Sequence, residues 1–258
     1  MQKVNNFQND KDYYSDWKYI TNSQLGYIKK GWEYYMMMKN GVKLDSPALR
    51  FGNLLHTLIL EPEKYQEKFF VLNDEDRPEP TKSMASKLNK AWKNKMLTKI
   101  ENDNKILIDL NQYNLALTLR DKVKSFKIIN DFIHNSKKEI AKTWLDFNTL
   151  VECKGKVDML IDDNMIIDIK TTSKPITQFK KSAFSFDYHR QAAFYSDGFN
   201  VKEFIFLVVE TNEPYQVGLF RCSEEFLDRG RQECFSLLNT YKDFLNKKES
   251  VQLIEQEL

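Results

Sequence analysis

Two carboxylates and an ammonium, Asp158, Asp168 and Lys170, interrupt the otherwise apolar stretch "GKVDMLIDDNMIIDIKTTSK" from Gly155 to Lys174. Nearly every second residue is apolar, the pattern of strands that lie against a core. Asp162-Asp163-Asn164 has the composition of a three-residue hairpin loop, with Asn164 expected in the left-handed conformation at its third position. That loop pairs Ile161 with Met165, Leu160 with Ile166 and Asp158 with Asp168. Alternation then places Val157, Met159, Ile161, Met165, Ile167 and Ile169 on one core-facing side. Lys156, Asp158, Leu160, Ile166, Asp168 and Lys170 share the other.

On that second side two carboxylates meet across the ladder, roughly 5 Å apart at Cβ. Like charges so placed repel, and relieving them by Asp158→Asn is expected to raise the melting temperature when no metal is bound. A divalent cation compensates best. Mg²⁺ takes carboxylate, carbonyl and water oxygens, and Mn²⁺ is the expected substitute. The bland alternative is a solvated hairpin face, with Lys170 in an ordinary surface ion pair to either aspartate.

Several elements must position this hairpin. Residues 1–20 carry no clear pattern and read as an arm. Ser23 is a plausible cap for a helix through about Lys39, ended by Asn40-Gly41. A second helix starts at the Ser46 cap with Pro47 in its first turn and stops at Pro62; it is apolar around much of its circumference and carries His56. Asn73 to Lys82 is a charged connector, followed by a basic helical stretch from Ser83 to Lys99 and two more helical patterns at about 108–125 and 126–135. From residue 139 the character changes to β-rich runs at 140–147, 150–161 and 165–171. Helices at about 176–184 and 187–199, two further strands and a closing helix from about Glu224 to Lys247 complete the chain. The expectation is an α/β (α+β) fold with a mixed central sheet flanked by helices. It is read as a single domain over 1–258: an arm at 1–20, a mainly helical region at 21–138 and a sheet-containing core at 139–258.

Composition narrows the class. The 258 residues are 41% hydrophobic and 13% aromatic, with a formal net charge of +2, so a polyanion-binding surface must come from local patches. Cys153, Cys222 and Cys234 are odd in number and form no CxxC pair, which speaks against zinc, iron–sulfur and disulfide frameworks and for reduced thiols in a cytoplasm. No apolar run reaches the ~18 residues of a membrane span. No phosphate-binding GxxxxGK[ST] loop is present.

Taken together, Asp158 followed by Asp168-Ile169-Lys170 resembles the motif of the PD-(D/E)xK nuclease superfamily. "RQAAFYSDGF" supplies Gln191 and Tyr195, four apart, similar to the QxxxY motif of its exonuclease branch, and "LRFGNLLHTLILEP" resembles that branch's upstream helix. The stretch Cys153–Leu227 looks closely like RecE-type (exonuclease VIII) nuclease domains, with weaker likeness back to about Ser23; lambda exonuclease is more distant. Val157 stands where the motif has a proline, a position that varies in the superfamily.

The resemblance implies a restriction-endonuclease-like core and a metal site made by His56, Asp158, Asp168 and the carbonyl of Ile169. Lys170 would orient or help deprotonate the attacking water, or stabilise the developing phosphorane charge. Gln191 and Tyr195 share one helix face and would contact DNA phosphate or the carboxylates. Without the resemblance, they read as a polar pair at a core edge, and His56 as an ordinary helix histidine. Glu139 and Glu152, near strand starts, are further candidates. The basic stretch offers Lys87, Lys90 and Trp92 as DNA contacts, with Arg190 and Gln191 beside the motif; a solvated lysine helix is the plain alternative.

The implied function is a Mg²⁺-dependent exonuclease on duplex DNA ends, 5′ to 3′, phage- or prophage-encoded, feeding a single-strand-annealing recombinase and forming a ring-like homo-oligomer. The rivals are a restriction-type endonuclease on the same fold and a catalytically silent DNA-end-binding module.

Overall fold

The computed structural model describes residues 10–246, apart from Lys43 and Pro80. In chain order the helical part comprises α1 (Asp10–Ser15), α2 (Asn22–Lys29), α3 (Trp32–Lys39), α4 (Pro47–Leu60), α5 (Tyr65–Lys68), β1 (Phe69–Leu72), α6 (Lys87–Asn102), β2 (Ile106–Asp109), α7 (Leu110–Ser125) and α8 (Lys127–Asn135). Then follow β3 (Lys137–Leu145), β4 (Glu152–Ile161), β5 (Met165–Thr172), α9 (Phe179–Ser185), α10 (Tyr188–Phe199), β6 (Glu203–Glu210), β7 (Val217–Arg221) and α11 (Glu224–Asn246).

The sheet order is β3-β4-β5-β6-β7, antiparallel except for β5 and β6, which run parallel. Parallel neighbours need a crossover, and α9 and α10 supply it. Met159, Ile161, Ile167, Ile169, Ile205 and Leu207 pack under α4, α7 and α8 on one face of the sheet. Leu160, Ile166, Phe204, Phe206 and Val208 pack under α9 and α10 on the other. Both faces of the hairpin are therefore covered, and the solvated-face alternative does not hold: Asp168 is only 4% exposed.

Local signals are followed closely at α4, where Ser46 Oγ accepts from the Leu49 amide at 3.1 Å and Pro47 opens the helix. Elsewhere longer-range packing prevails. The first expected helix is two: Thr21, not Ser23, caps α2, and Gly31, with φ of 110°, breaks it from α3. β1 and β2 pair in parallel inside the region read as helical. The hairpin register is as expected from Ile161 with Met165 to Met159 with Ile167, but the ladder stops short of the expected Asp158–Asp168 pair, and Asp162 and Asp163, not Asn164, hold the left-handed conformation. Two such residues match a type I′ turn, closed by Asn164 N–H to the Ile161 carbonyl at 3.0 Å.

The described part of the arm is firmly packed. Ile20 is fully buried and bridges to Cys153, Tyr13 is 5% exposed, and the buried Lys154 ammonium donates to the carbonyls of Tyr13 and Asp16. The three cysteines are free thiols. No helix among the described residues is long and apolar enough to cross a membrane.

Candidate active site

The regular pleat of β4 breaks at Asp158. The β3–β4 ladder pairs Lys138 with Met159 and Ile140 with Val157, but skips Glu139 and Asp158. Glu139 sits at φ 54°, a left-handed conformation that a bulky L-residue rarely adopts. As a result Val157 joins the α9–α10 side of the core rather than the Met159 side where alternation put it. Strain of this kind persists where surrounding structure holds it, often at functional sites. Here it brings Glu139 into a cluster with Asp158 and with His56 from α4, their ligand atoms all within 4.8 Å of one another. His56 Nε2 lies 3.0 Å from Asp158 Oδ1 and 3.4 Å from Glu139 Oε1. Lys156 Nζ approaches Glu139 Oε2 at 2.6 Å, and the Ile169 amide donates to Asp158 Oδ2 at 2.8 Å.

Asp168 stands beside this cluster rather than in it. Its Oδ1 accepts from Gln191 Nε2 at 2.6 Å, and its Oδ2 lies 2.6 Å from Lys170 Nζ, an ion pair by distance without the angles of a hydrogen bond. Tyr188 of α10 lies against the same ammonium, its ring centre 5.0 Å away. Tyr195 covers Gly155 on β4 so closely that a Cβ there would stand 2.8 Å from its ring.

The electrostatics split the two aspartates. Burial opposes the charge on His56, but Asp158, then Glu139 and Asp168, outweigh it and lift the imidazole to about 9. Burial likewise raises Asp158, yet His56 and Lys170 win and hold its carboxyl below the usual range. For Asp168, burial dominates: aided by the Asp158 charge and only partly offset by Lys170, it pushes the carboxyl up to about 6. Lys170, despite burial that favours the neutral amine, is raised by Asp168 and stays an ammonium.

A family model described as "PDDEXK-like domain of unknown function (DUF3799)" matches residues 15–255. The chain belongs to this PDDEXK-like family. It thereby falls in the PD-(D/E)xK nuclease superfamily that the Asp158, Asp168 and Lys170 motif resembles. The crystal structure of a candidate exonuclease from Eubacterium rectale aligns over 100% of this chain and 96% of its own at 12% identity and a TM-score of 0.64, a shared fold. A second structure, SSO0001, covers 77% of the chain and 87% of its own at 16% identity and a TM-score of only 0.33. No curated protein matches the chain.

The PDDEXK-like site suits a divalent cation. Glu139 Oε1 is buried without a hydrogen-bond partner, and such an acceptor calls for a cation or ordered water, whereas Asp168 Oδ2 already faces the Lys170 ammonium. One imidazole with several carboxylate oxygens is a nitrogen and oxygen donor set without a soft thiolate ligand.

The compact cluster differs from the ligand set that the resemblance implies: Glu139 lies in it and Asp168 lies beside it. Ile169 is tied to the cluster through its amide, which donates to Asp158. Glu152 is excluded: it is half exposed and pairs with Lys18 at 3.3 Å. Its place near a strand start made Glu139 a candidate equally with Glu152; what separates the two, the neighbouring strand and one unusual φ, is not local. Lys156 shared the Asp158 side by alternation, but its partner Glu139 could not be read.

Arg190 faces the interior rather than the surface expected of a DNA contact. Its guanidinium is 5% exposed and engages Asn22, Asp187 and Glu233, the latter two also held by Lys29. Together with Gly230, where a Cβ would stand 2.0 Å from the His189 carbonyl oxygen, this network clamps α10 against α2 and α11 and so fixes Gln191. Lys87 and Lys90 are exposed on α6 and Trp92 is half-buried. This helix is anchored by buried Asn89, whose amide group binds the backbone of Glu79, Lys82 and Ser83.

Proposed function

We propose that this protein is a Mg²⁺-dependent deoxyribonuclease that degrades duplex DNA from its ends, 5′ to 3′. The observation that carries the reading is the contact of Gln191 with Asp168, which joins the QxxxY helix to the nuclease carboxylates beside a cation-ready cluster. The Eubacterium rectale protein, described as a candidate exonuclease, lends support through its fold.

Bound by His56, Glu139 and Asp158, a divalent ion would polarise a phosphate oxygen and acidify a water. The residues of the chain do the rest. The attacking water gives a proton to solvent and adds to phosphorus in line with the leaving 3′ oxygen; the P–O3′ bond breaks and that oxygen takes a proton from solvent to become the 3′ hydroxyl. Lys170, held as an ammonium by Asp168, serves better as a fixed positive charge for the phosphorane than as a base. Gln191 keeps Asp168 oriented, and Tyr195 walls the site beside β4.

End dependence follows from what the surface offers. Lysines such as Lys87 and Lys90 would meet phosphates, which position DNA without reading sequence. An indiscriminate nuclease must be limited by access, and threading an end provides that limit. The likeness to RecE-type domains extends the proposal to a ring-like homo-oligomer, a recombinase partner and a cytoplasmic, phage-type setting.

The deciding assay compares end-labelled linear duplex with a covalently closed circle, in Mg²⁺ and in EDTA. Mononucleotides should be released from the linear form only, and only with Mg²⁺. Efficient nicking of the circle would promote the restriction-type reading instead.

A further inference from the structure

A cleft of about 910 Å³ opens between α9, β7 and the start of α11, outside the carboxylate cluster. It is lined by five phenylalanines, Phe179, Phe184, Phe206, Phe220 and Phe226. Its floor continues the active site. Asp168, Phe206 and Phe220 are successive partners across β5, β6 and β7, so all three project from the same face of the sheet. Two strand spacings, roughly 10 Å, separate the catalytic carboxylate from Phe220. Above the sheet, Tyr188 touches both Lys170 and Phe179, ring centres 5.9 Å apart for the aromatic pair, so ring faces lead from the ammonium to the cleft. Burial, with a smaller push from the Asp168 charge, raises the Cys222 thiol on the cleft wall to about 12, in keeping with that proximity.

The charges at the rim select what can enter. Glu225 and Asp228 line the α11 side and repel phosphate. Arg229 lies over the Phe184 ring at 4.8 Å, and Lys180 stands on the α9 side. A neutral, planar group suits the interior, with its phosphates left outside near the cations. Phe184 is 41% exposed even with Arg229 over its ring and with His189 and Phe226 at 5.5 and 5.1 Å between ring centres, so part of its aromatic surface is open to the cleft.

We infer that this cleft seats an unpaired nucleobase of the DNA strand whose phosphate is being cleaved, by stacking on Phe184 and its aromatic neighbours. The inference rests on the nuclease reading and deepens it. A base inside a duplex cannot reach the cleft, so the strand must be separated locally before the scissile phosphate enters the site beside Asp168. Stacking of this kind tolerates any base, because every base has a π-face.

The test uses the full chain, a fluorescent oligothymidylate about twelve nucleotides long and an abasic strand of equal length, with binding followed by anisotropy in EDTA so that no hydrolysis occurs. Wild type should bind the oligothymidylate about tenfold more tightly than the abasic strand. Phe184→Ala should lose most of that preference with unchanged affinity for the abasic strand, and Phe184→Trp should keep it; circular dichroism confirms that both variants are folded. Equal affinity of wild type for the two strands, or a preference untouched by Phe184→Ala, overturns the inference. Hydrolysis of the same oligomers in Mg²⁺ is scored separately: its failure counts against the nuclease reading, while the EDTA binding still decides the cleft.

Discussion

His56 and Asp158 form an ion pair across the α4–β4 interface, Nε2 to Oδ1 at 3.0 Å, and it joins the helical region to the strand that carries the first motif carboxylate. The imidazole is raised to about 9 there, against 6.5 ordinarily. A group raised on folding stabilises fully below its unfolded value and loses that contribution as pH climbs through the folded one. The metal-free protein should therefore lose about 2–3 kcal/mol between pH 6.5 and 9. Thermal melts in EDTA across that range check this, and His56→Gln should flatten the slope. A proton should also be released when Mn²⁺ binds at pH 7.5, which calorimetry in buffers of different ionisation enthalpy measures.

The two aspartates should answer neutralisation in opposite directions. Asp168 is raised to about 6, so its ionisation costs the folded state, and stability falls as pH rises from the ordinary carboxyl range through that value. Asp158 is lowered, so its charge stabilises above the ordinary range and that gain is lost only in acid. In EDTA at pH 7, Asp168→Asn should melt higher, by about 1–2 kcal/mol, and Asp158→Asn lower. This reverses the expectation for Asp158 drawn from facing carboxylates alone, because His56 had no visible place in that reckoning. Equal shifts of the same sign would show that the pair behaves symmetrically.

Lys170→Met retains much of the stem and removes the charge. The turnover of DNA should fall by about 10²-fold or more while calorimetric Mn²⁺ affinity holds or rises, since a competing cation next to Asp168 is gone. Near-normal turnover would reduce Lys170 to a structural ion-pair partner.

Gly155→Ala tests the Tyr195 wall. The new methyl would stand 2.8 Å from the ring, closer than side-chain atoms approach. Overpacking should cost about 1–3 kcal/mol in urea unfolding and displace Tyr195. Tyr195→Ala in the Gly155→Ala background should recover much of that stability. Failure of the rescue would place the strain elsewhere.

Much of the site was readable because it depends on short-range rules. The hairpin register follows from period-two alternation and a turn of Asp and Asn, and α4 follows from Ser46, Pro47 and Pro62. His56, Asp158, Asp168 and Lys170 fall on elements whose bounds such local signals mark, whereas the roles expected of His56 and Gln191 come from the resemblance of their motifs. The rest lay beyond those rules. A left-handed residue at Glu139, a pleat that slips at Asp158, and the choice of Glu139 over Glu152 arise from contacts between segments far apart in the chain.

The amino-acid sequence by itself determined the hairpin that carries Asp158, Asp168 and Lys170 and the helices that carry His56 and Gln191, since spacing and capping act within a few residues; the chemistry expected of His56 and Gln191 is what the resemblance of their motifs implies. Only the tertiary structure decided what each does. It set the pairing of His56 with Asp158, the burial that raises Asp168, and the clamp that turns Arg190 inward. Each depends on how much water and which distant charge a side chain meets, and packing alone specifies that.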